Sequence, residues 1–580
     1  MKEAFVTDLD VVIKDGMIVD GTGAPRYRND IGIRSGRIAE IGRIDASRAV
    51  RVLDAEGHIV APGIIDVHTH YDAQLYWDPY CTLSGWHGVT SVVIGNCGFG
   101  FAPCAPANRE RAMKSMTRVE AIPLASMQAA LPWDWVTYPE FLDSLERIPK
   151  SVNVLPYVPL GPMLLWVQGW EDAKSGKDLR PEQMAELKRL MHEALDAGGC
   201  GWSAQRLPPE GGNAAQRDFD GGPMPTDCMS DATALEMAKV LGERNQGFMM
   251  MTYNTGNRDR DWAHYEELVR VSGRPMLYNA VQVNDDHPNR HRRQLAWLEE
   301  CRKKGLPVLC QAVTVGTFTI FTFVDWNLFD DSDAWAEATS GTHEEKMRKL
   351  ADPARRPGLI EGSKQVERGQ TVTSFADIVV MKPIDPALQK YKDMTLAEVA
   401  AERGCHLVDA MLDIAITDNL QTEFYFEHKM SRERLSELVN YRFAIYGVSD
   451  GGAHTKFSTL GRYPTETIQK HVREMELIDL EQAHWHLSGL PAFCTGLNDR
   501  GVLRIGAAAD VIVYDYENLT MLPPEVAHDL PGNEWRRIQR ASGYKFVLVN
   551  GQVTVENDQQ TNTPSGELLR NGKSRSHQPA

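Results

Sequence analysis

The stretch Pro62-Gly63-Ile64-Ile65-Asp66-Val67-His68-Thr69-His70 decides how the chain is read. A short apolar run ends in two histidines spaced i, i+2. Side chains on a strand alternate between its faces, so residues two apart point the same way. On a strand, both imidazoles therefore converge on one point near its C-terminal end. That end is where parallel barrels keep their chemistry. Two half-buried histidines that only satisfy hydrogen bonds would give the same pattern. The strand, the preceding Pro-Gly and the barrel context favour a cation site.

Working outward, strand cores are expected at residues 64–68, 90–94, 153–157, 199–203, 248–252, 276–280, 307–312 and 443–448. Amphipathic helical patterns lie between them, for example at 181–197 and 293–304. Eight strands, each followed by helix, predict a (β/α)8 barrel of the TIM type. The interval 313–440, between the seventh and eighth strands, far exceeds an ordinary loop. It carries an aromatic run at 318–326 and a helical stretch at 396–417, and is read as an inserted subdomain or lid. The aromatic run either walls a substrate pocket or packs the insert.

The two chain ends read differently. Short strands at 11–13, 17–19, 31–33, 37–41 and 50–53 are parted by turn signals that include Asp15-Gly16 and Ser35-Gly36. Residues 510–515 and 546–549 are β-rich as well, and Asn550-Gly551 turns the latter into 552–555. The expected class is therefore α/β. A small β-sandwich is built from 1–60 and 496–570, and the barrel from 61–312 and 441–495. The insert is 313–440, and 571–580 is a polar tail.

Composition excludes some functions. A net charge of −17 disfavours nucleic acid and anionic membranes as partners. The longest apolar runs, such as 59–65, are too short to span a bilayer, and residues 1–8 have no apolar signal core. The nine cysteines include no CxxC pair. The expectation is a cytoplasmic protein with free thiols, acting on a small molecule and self-associating as acidic barrels commonly do.

Two more residues belong with the histidines. Asp450 follows Ala444-Ile445-Tyr446-Gly447-Val448-Ser449 at the end of the eighth strand. A closed barrel brings that strand beside the first, where a carboxylate can bind the metal and accept a proton from water. It can equally serve as a loop residue or helix cap. Cys97 lies just past the second strand in Ile94-Gly95-Asn96-Cys97-Gly98. Thiolate is a good zinc ligand, although small buried cysteines are common.

At these residues the sequence resembles the amidohydrolase superfamily, and within it the D-aminoacylase (N-acyl-D-amino-acid deacylase) family. The matching text includes Lys14-Asp15-Gly16-Met17-Ile18-Val19-Asp20-Gly21, the block from Pro62 to Asp72, the cysteine segment, Ser449-Asp450-Gly451, Asp499-Arg500-Gly501, Ala509-Asp510 and Val549-Asn550-Gly551. The resemblance implies the same sandwich and barrel. It also implies a tight zinc site made by the cysteine and histidines of the fifth and sixth strands, and a weaker one made by the HxH pair and the strand-eight aspartate. Here the fifth strand has Thr252 and the sixth has Asn279 and Ala280 where histidines are expected. His287 and His291 follow too late to replace them, and the fourth strand has no lysine. A longer subgroup sharing Phe99-Gly100-Phe101-Ala102-Pro103 is closer. The surviving set is His68, His70, Cys97 and Asp450. It is expected to hold one divalent cation per chain, zinc by its donors, with a position left for water.

The expected reaction is hydrolysis of an amide by activated water, with Asp450 as general acid/base. Tyr253, Asn279 and His454 are candidates to stabilise the oxyanion, and Arg206 either pairs with a substrate carboxylate or sits in an internal salt bridge. The leading reading is an N-acyl-(D-)amino-acid deacylase. The alternative is a hydrolase on the same scaffold acting on a cyclic amide, ester or activated C–C bond of a larger aromatic substrate. A third, a non-catalytic binding protein, is opposed by the retained converging ligands.

Overall fold

The computed structural model describes residues 7–208, 217–325, 329–369, 372 and 374–570. Eight parallel strands form the barrel: β1 (Ile64–Asp66), β2 (Val89–Ile94), β3 (Asn153–Pro156, resuming at Val158–Pro159), β4 (Gly201–Arg206), β5 (Phe248–Tyr253), β6 (Met276–Gln282), β7 (Val308–Val313) and β8 (Ala444–Tyr446). Each pairs with the next in parallel register. Every residue of β2 is buried, as expected of strands covered on both faces.

The barrel closes between the end of β1 and the loop after β8. Thr69 bridges Gly451 in parallel, and the His70 N–H donates to the Gly451 carbonyl at 2.7 Å. The Ser449 hydroxyl adds a bond to the His68 carbonyl at 3.1 Å. The expected strands are all present, with ends shifted by a few residues. One connection differs from expectation. No α-helix separates β1 from β2; two 3-10 turns, Gln74–Tyr76 and Ser84–His87, carry the chain instead.

Both chain ends build the sandwich around a shared core. Val11, Ile13, Ile33 and Leu53 from the first end pack with Val511, Val513, Phe546 and Leu548 from the second. Strand Ile59–Pro62, which leads into β1, pairs antiparallel with Val511–Tyr514. The turn expected at Asp15-Gly16 is corrected. Leu9–Ile18 is one strand, with a register shift between Ile13 and Gly16 and a φ of 59° at Asp15. Both halves pair with the same partner strand, so the one extra residue is absorbed as a bulge rather than a reversal.

The insert is a compact unit. Strands Phe318–Phe321, Glu423–Glu427 and Val379–Lys382 form an antiparallel sheet. Its own core includes Phe321, Phe323, Phe329, Trp335, Phe375 and Phe424. The aromatic run therefore packs the insert; Trp326 and the tail at 571–580 lie outside the described residues. Two members of this core, Ala121 and Phe457, come from outside the insert, from the loops after β2 and β8. No helix among the described residues is long and apolar enough to cross a membrane.

Asp510 fastens the sandwich to the barrel. Its carboxylate accepts from the Arg500 guanidinium at 2.7 Å, from the Asn153 amide on β3 at 3.0 Å and from the Asn550 N–H at 2.7 Å. Its carbonyl accepts from the Gly63 N–H, one residue before β1, at 2.9 Å. Both charged side chains are buried, at 1% and 2% exposure. Removing one charge strands the other in the interior. Asp510→Ala is expected to cost about 3–5 kcal/mol of stability, read as a lower midpoint in urea unfolding. An unchanged midpoint would contradict this account.

Candidate metal centre

Four donors converge at the closure of the barrel. His68 Nε2 lies 3.2 Å from Asp450 Oδ1 and 3.5 Å from Cys97 Sγ. His70 Nε2 lies 3.7 Å from the same Asp450 oxygen. The donor atoms of His68, His70 and Cys97 all fall within 4.8 Å of one another. Donors bound at about 2.0–2.3 Å to one tetrahedral zinc lie about 3.3–3.8 Å apart. The spacing and the chemistry of this set, two imidazoles, a thiol and a carboxylate, therefore fit a divalent cation.

Local structure explains the convergence. His68 and His70 extend β1 on one face, and the closing bond to Gly451 delivers Asp450 beside them. Asp450 itself sits at a φ of 46°, at the turn that reverses after Ser449. The Ser449 hydroxyl accepts from the Gly451 N–H at 3.0 Å, so one side chain ties the turn both to itself and to β1. Cys97 lies in a tight turn with positive φ at Gly95, Cys97 and Gly98. The Asn96 amide fixes that turn by donating to the carbonyls of Thr69 at 3.0 Å and Val93 at 2.8 Å. The Asp72 carboxylate accepts from the Gly95 N–H at 3.0 Å. The cysteine turn and the histidine strand are thus locked together.

The electrostatics suit a cation. Burial pushes the His70 imidazole down to about 3, leaving it neutral with a lone pair to give. Burial raises the Asp450 carboxyl, but the hydrogen bond and electrostatic pull of His68 lead the effects that outweigh it and hold the group at about 2. Burial pushes the Cys97 thiol up against the opposing pull of His68. A bound cation reverses that balance and favours the thiolate.

Two functional neighbours escaped the sequence reading. Gln311 of β7 orients His68, whose Nδ1 lies 3.0 Å from Oε1 of the amide, so Nε2 faces the other donors. A polar residue inside the apolar run Val308-Leu309-Cys310-Gln311-Ala312-Val313 was an available signal. Glu120 follows α1 (Arg109–Val119) and is 1% exposed. Its Oε1 lies 3.7 Å from His70 Nε2 and its Oε2 lies 3.3 Å from His454 Nε2. Nothing in its local sequence announces it.

The remaining candidates divide. His454 joins the centre, with its backbone N–H donating to the Glu120 carbonyl at 2.8 Å. Arg206 is corrected as a free substrate ligand, because it takes the internal alternative. Its guanidinium donates to Asp231 at 2.7 Å and packs over the Tyr253 ring at 4.5 Å. The Tyr253 hydroxyl donates to the same Asp231 carboxylate at 2.8 Å, which removes it as an oxyanion donor. Asn279 donates to Thr252 Oγ1 at 2.7 Å, so the two residues standing where histidines are expected bond to each other, while the buried Asn279 Oδ1 has no hydrogen bond. His291 is buried on the helix Arg290–Lys303 and lies 2.8 Å from Glu437, away from the centre.

An apolar pocket begins at Gly98, the residue after Cys97. Phe99, Phe101, Met116, Leu165, Trp166 and Met224 line it, together with Ala112. The Phe99 ring stands 6.4 Å from the His70 ring, between the pocket and the centre.

Comparison with known proteins agrees with this geometry. Residues 51–195 and 230–555 match the amidohydrolase family. The N-acyl-D-glutamate deacylase of Alcaligenes xylosoxydans xylosoxydans is 28% identical over 97% of this chain and 96% of its own. The D-aminoacylase of the same organism is 25% identical over 98% of this chain and 99% of its own. The crystal structure of the N-acyl-D-glutamate deacylase of Bordetella bronchiseptica, complexed with zinc and a phosphonate mimic of the tetrahedral intermediate, is similar with a TM-score of 0.66 and 25% identity. It covers 97% of this chain and 100% of that one. A closed barrel with a sandwich made from both chain ends, an HxH pair facing a strand-eight aspartate, and a family match over more than half the length lead to one conclusion: this chain belongs to the amidohydrolase family and is a metal-dependent hydrolase.

Proposed function

We propose that the chain hydrolyses the amide bond of N-acyl amino acids, of D configuration and with a sizeable apolar group, using one zinc ion held by His68, His70, Cys97 and Asp450. The observation that carries this reading is the spacing of the donors, with His68 Nε2 3.2 Å from Asp450 and 3.5 Å from Cys97. The deacylase relatives named above support the bond type. A divalent cation at this position supplies a Lewis acid for an amide carbonyl and lowers the pKa of water. Asp450, ionised at neutral pH, accepts the proton of the attacking water and returns it to the departing nitrogen. Gln311 keeps His68 in the tautomer that points Nε2 inward. His454, beside Glu120 and near Asp450, is the best placed of the oxyanion candidates. The nine cysteines form no disulfide, which supports a reducing, cytoplasmic setting.

A second reading keeps the scaffold and changes the substrate. The apolar pocket beside Cys97 and the Thr252–Asn279 pair in place of two histidines favour a cyclic amide, an ester or an activated C–C bond in a larger aromatic compound. A panel of N-acyl-D- and N-acyl-L-amino acids separates the two. Turnover of N-acyl-D-amino acids is expected, with kcat/KM rising about fourfold for each acyl methylene that the pocket buries. Ala112→Phe should flatten that rise by filling the pocket. Turnover of cyclic or aromatic esters with none on the panel would replace the first reading by the second.

Metal analysis tests the centre directly. About one zinc per chain is expected in the purified protein, and Cys97→Ala should bind it more weakly by at least about tenfold. Unchanged affinity would remove the cysteine from the ligand set. Asp450→Asn should lower kcat by about 10²–10⁴, and wild-type turnover in that variant would exclude Asp450 as the proton acceptor.

A further inference from the structure

Glu120 is a carboxylate in a place where a carboxylate is costly. It is 1% exposed, and neither of its oxygens accepts a hydrogen bond. Its close side-chain neighbours include the imidazoles of His70 and His454. A buried anion without donors is strongly disfavoured unless it is neutralised or bound to a cation. Its Oε1 lies as far from His70 Nε2, 3.7 Å, as Asp450 Oδ1 does. The two carboxylates therefore reach the same imidazole nitrogen from separate elements, α1 and the loop after β8. That nitrogen is one the four-residue centre already uses.

The fold takes care to hold Glu120 there. Its N–H donates to the Met116 carbonyl at 3.2 Å and its carbonyl accepts from His454. Two residues earlier, Arg118 makes a buried ion pair with Asp330 of the insert, with Nε 2.8 Å from the carboxylate, and donates to Ser340 at 2.9 Å. On the other side, Ala121 enters the insert's hydrophobic core together with Phe457, three residues after His454. The insert thus clamps both segments that meet at Glu120. The strand-five and strand-six positions meanwhile offer only a hydroxyl and an amide, bonded to each other at 2.7 Å.

We propose that Glu120 is a further ligand of the cation, delivered by the insert-clamped end of α1 to the side of the centre that the barrel strands leave without a donor, with its second oxygen 3.3 Å from His454 Nε2. This rests on the reading that His68, His70, Cys97 and Asp450 hold a cation. It assigns a structural purpose to the insert, which orients a ligand rather than walling the substrate.

The test uses the full-length protein, stripped of metal and titrated with zinc against a chromogenic chelator, and with cobalt to record the visible spectrum. Glu120→Gln keeps the shape and removes the anion. It should weaken zinc by about 10–100-fold and shift the cobalt bands. Glu120→Asp should fall between wild type and Glu120→Gln. Thermal unfolding supplies a readout of opposite sign. Without metal, Glu120→Gln should be at least as stable as wild type, because neither carboxyl oxygen has a hydrogen bond to lose. With zinc it should be less stable than wild type. Equal zinc affinity and identical cobalt spectra in wild type and Glu120→Gln would overturn the proposal and leave the four-residue centre standing. A wild type that binds neither metal would overturn that centre and this proposal with it.

Discussion

The site depends on one backbone hydrogen bond, from the His70 N–H to the Gly451 carbonyl at 2.7 Å. It joins the end of β1 to the turn after β8 and so closes the barrel. Without that closure, His68 and His70 would face an open edge and Asp450 would sit on a distant loop. With it, residues nearly four hundred positions apart in the chain lie within 3.2–3.7 Å. The Ser449 hydroxyl and the Thr69–Gly451 bridge brace the same junction. A cation bound there would add to closure, because His68 and His70 lie on one side of the seam and Asp450 on the other.

The second strand contributes through an interlock rather than a ladder. Asn96 reaches back to the Thr69 carbonyl between the two histidines, and Asp72 holds the Gly95 N–H. Cys97 is then fixed at a left-handed φ of 56°, a conformation that a side chain adopts only when its surroundings impose it. The neighbouring pocket grows from the same turn, since Gly98 and Phe99 line its mouth. One short segment therefore sets both the position of Cys97 and the start of the apolar pocket.

The two additions to the barrel do different work. The sandwich joins the chain ends and is fastened by the buried Arg500–Asp510 pair, whose carboxylate also bonds β3 and whose backbone holds Gly63 just before β1. It stabilises the strand that carries the histidines without touching the centre. The insert has a core of its own, yet takes in Ala121 and Phe457 from loops that border the candidate centre. Its aromatic residues serve that packing. A sheet of aromatics near an active site invites a substrate role, but burial of Phe321 and Phe323 at 2% and 0% leaves none of their surface for one.

Much of this was legible in the sequence because it is periodic or local. Buried parallel strands are short apolar runs, so all eight barrel strands could be located, and the i, i+2 spacing alone placed His68 and His70 on one face. Asn550-Gly551 likewise declared its hairpin, with positive φ at both residues. Asp15-Gly16 did not, because a bulge and a turn use the same residues and only the shared partner strand decides between them. The contacts that complete the site were invisible for a single reason: they join segments with no common period. Glu120 lies in an ordinary helix-end sequence and gains meaning only where His70 and His454 meet it. Gln311 matters only because closure brings β7 within two strands of β1, with β8 between them. Arg206 and Tyr253 looked available until Asp231, on another segment, took both. Sequence by itself determined which residues are able to bind a cation and on which strand face they lie. Tertiary structure decided which of them meet, because that depends on where the barrel closes.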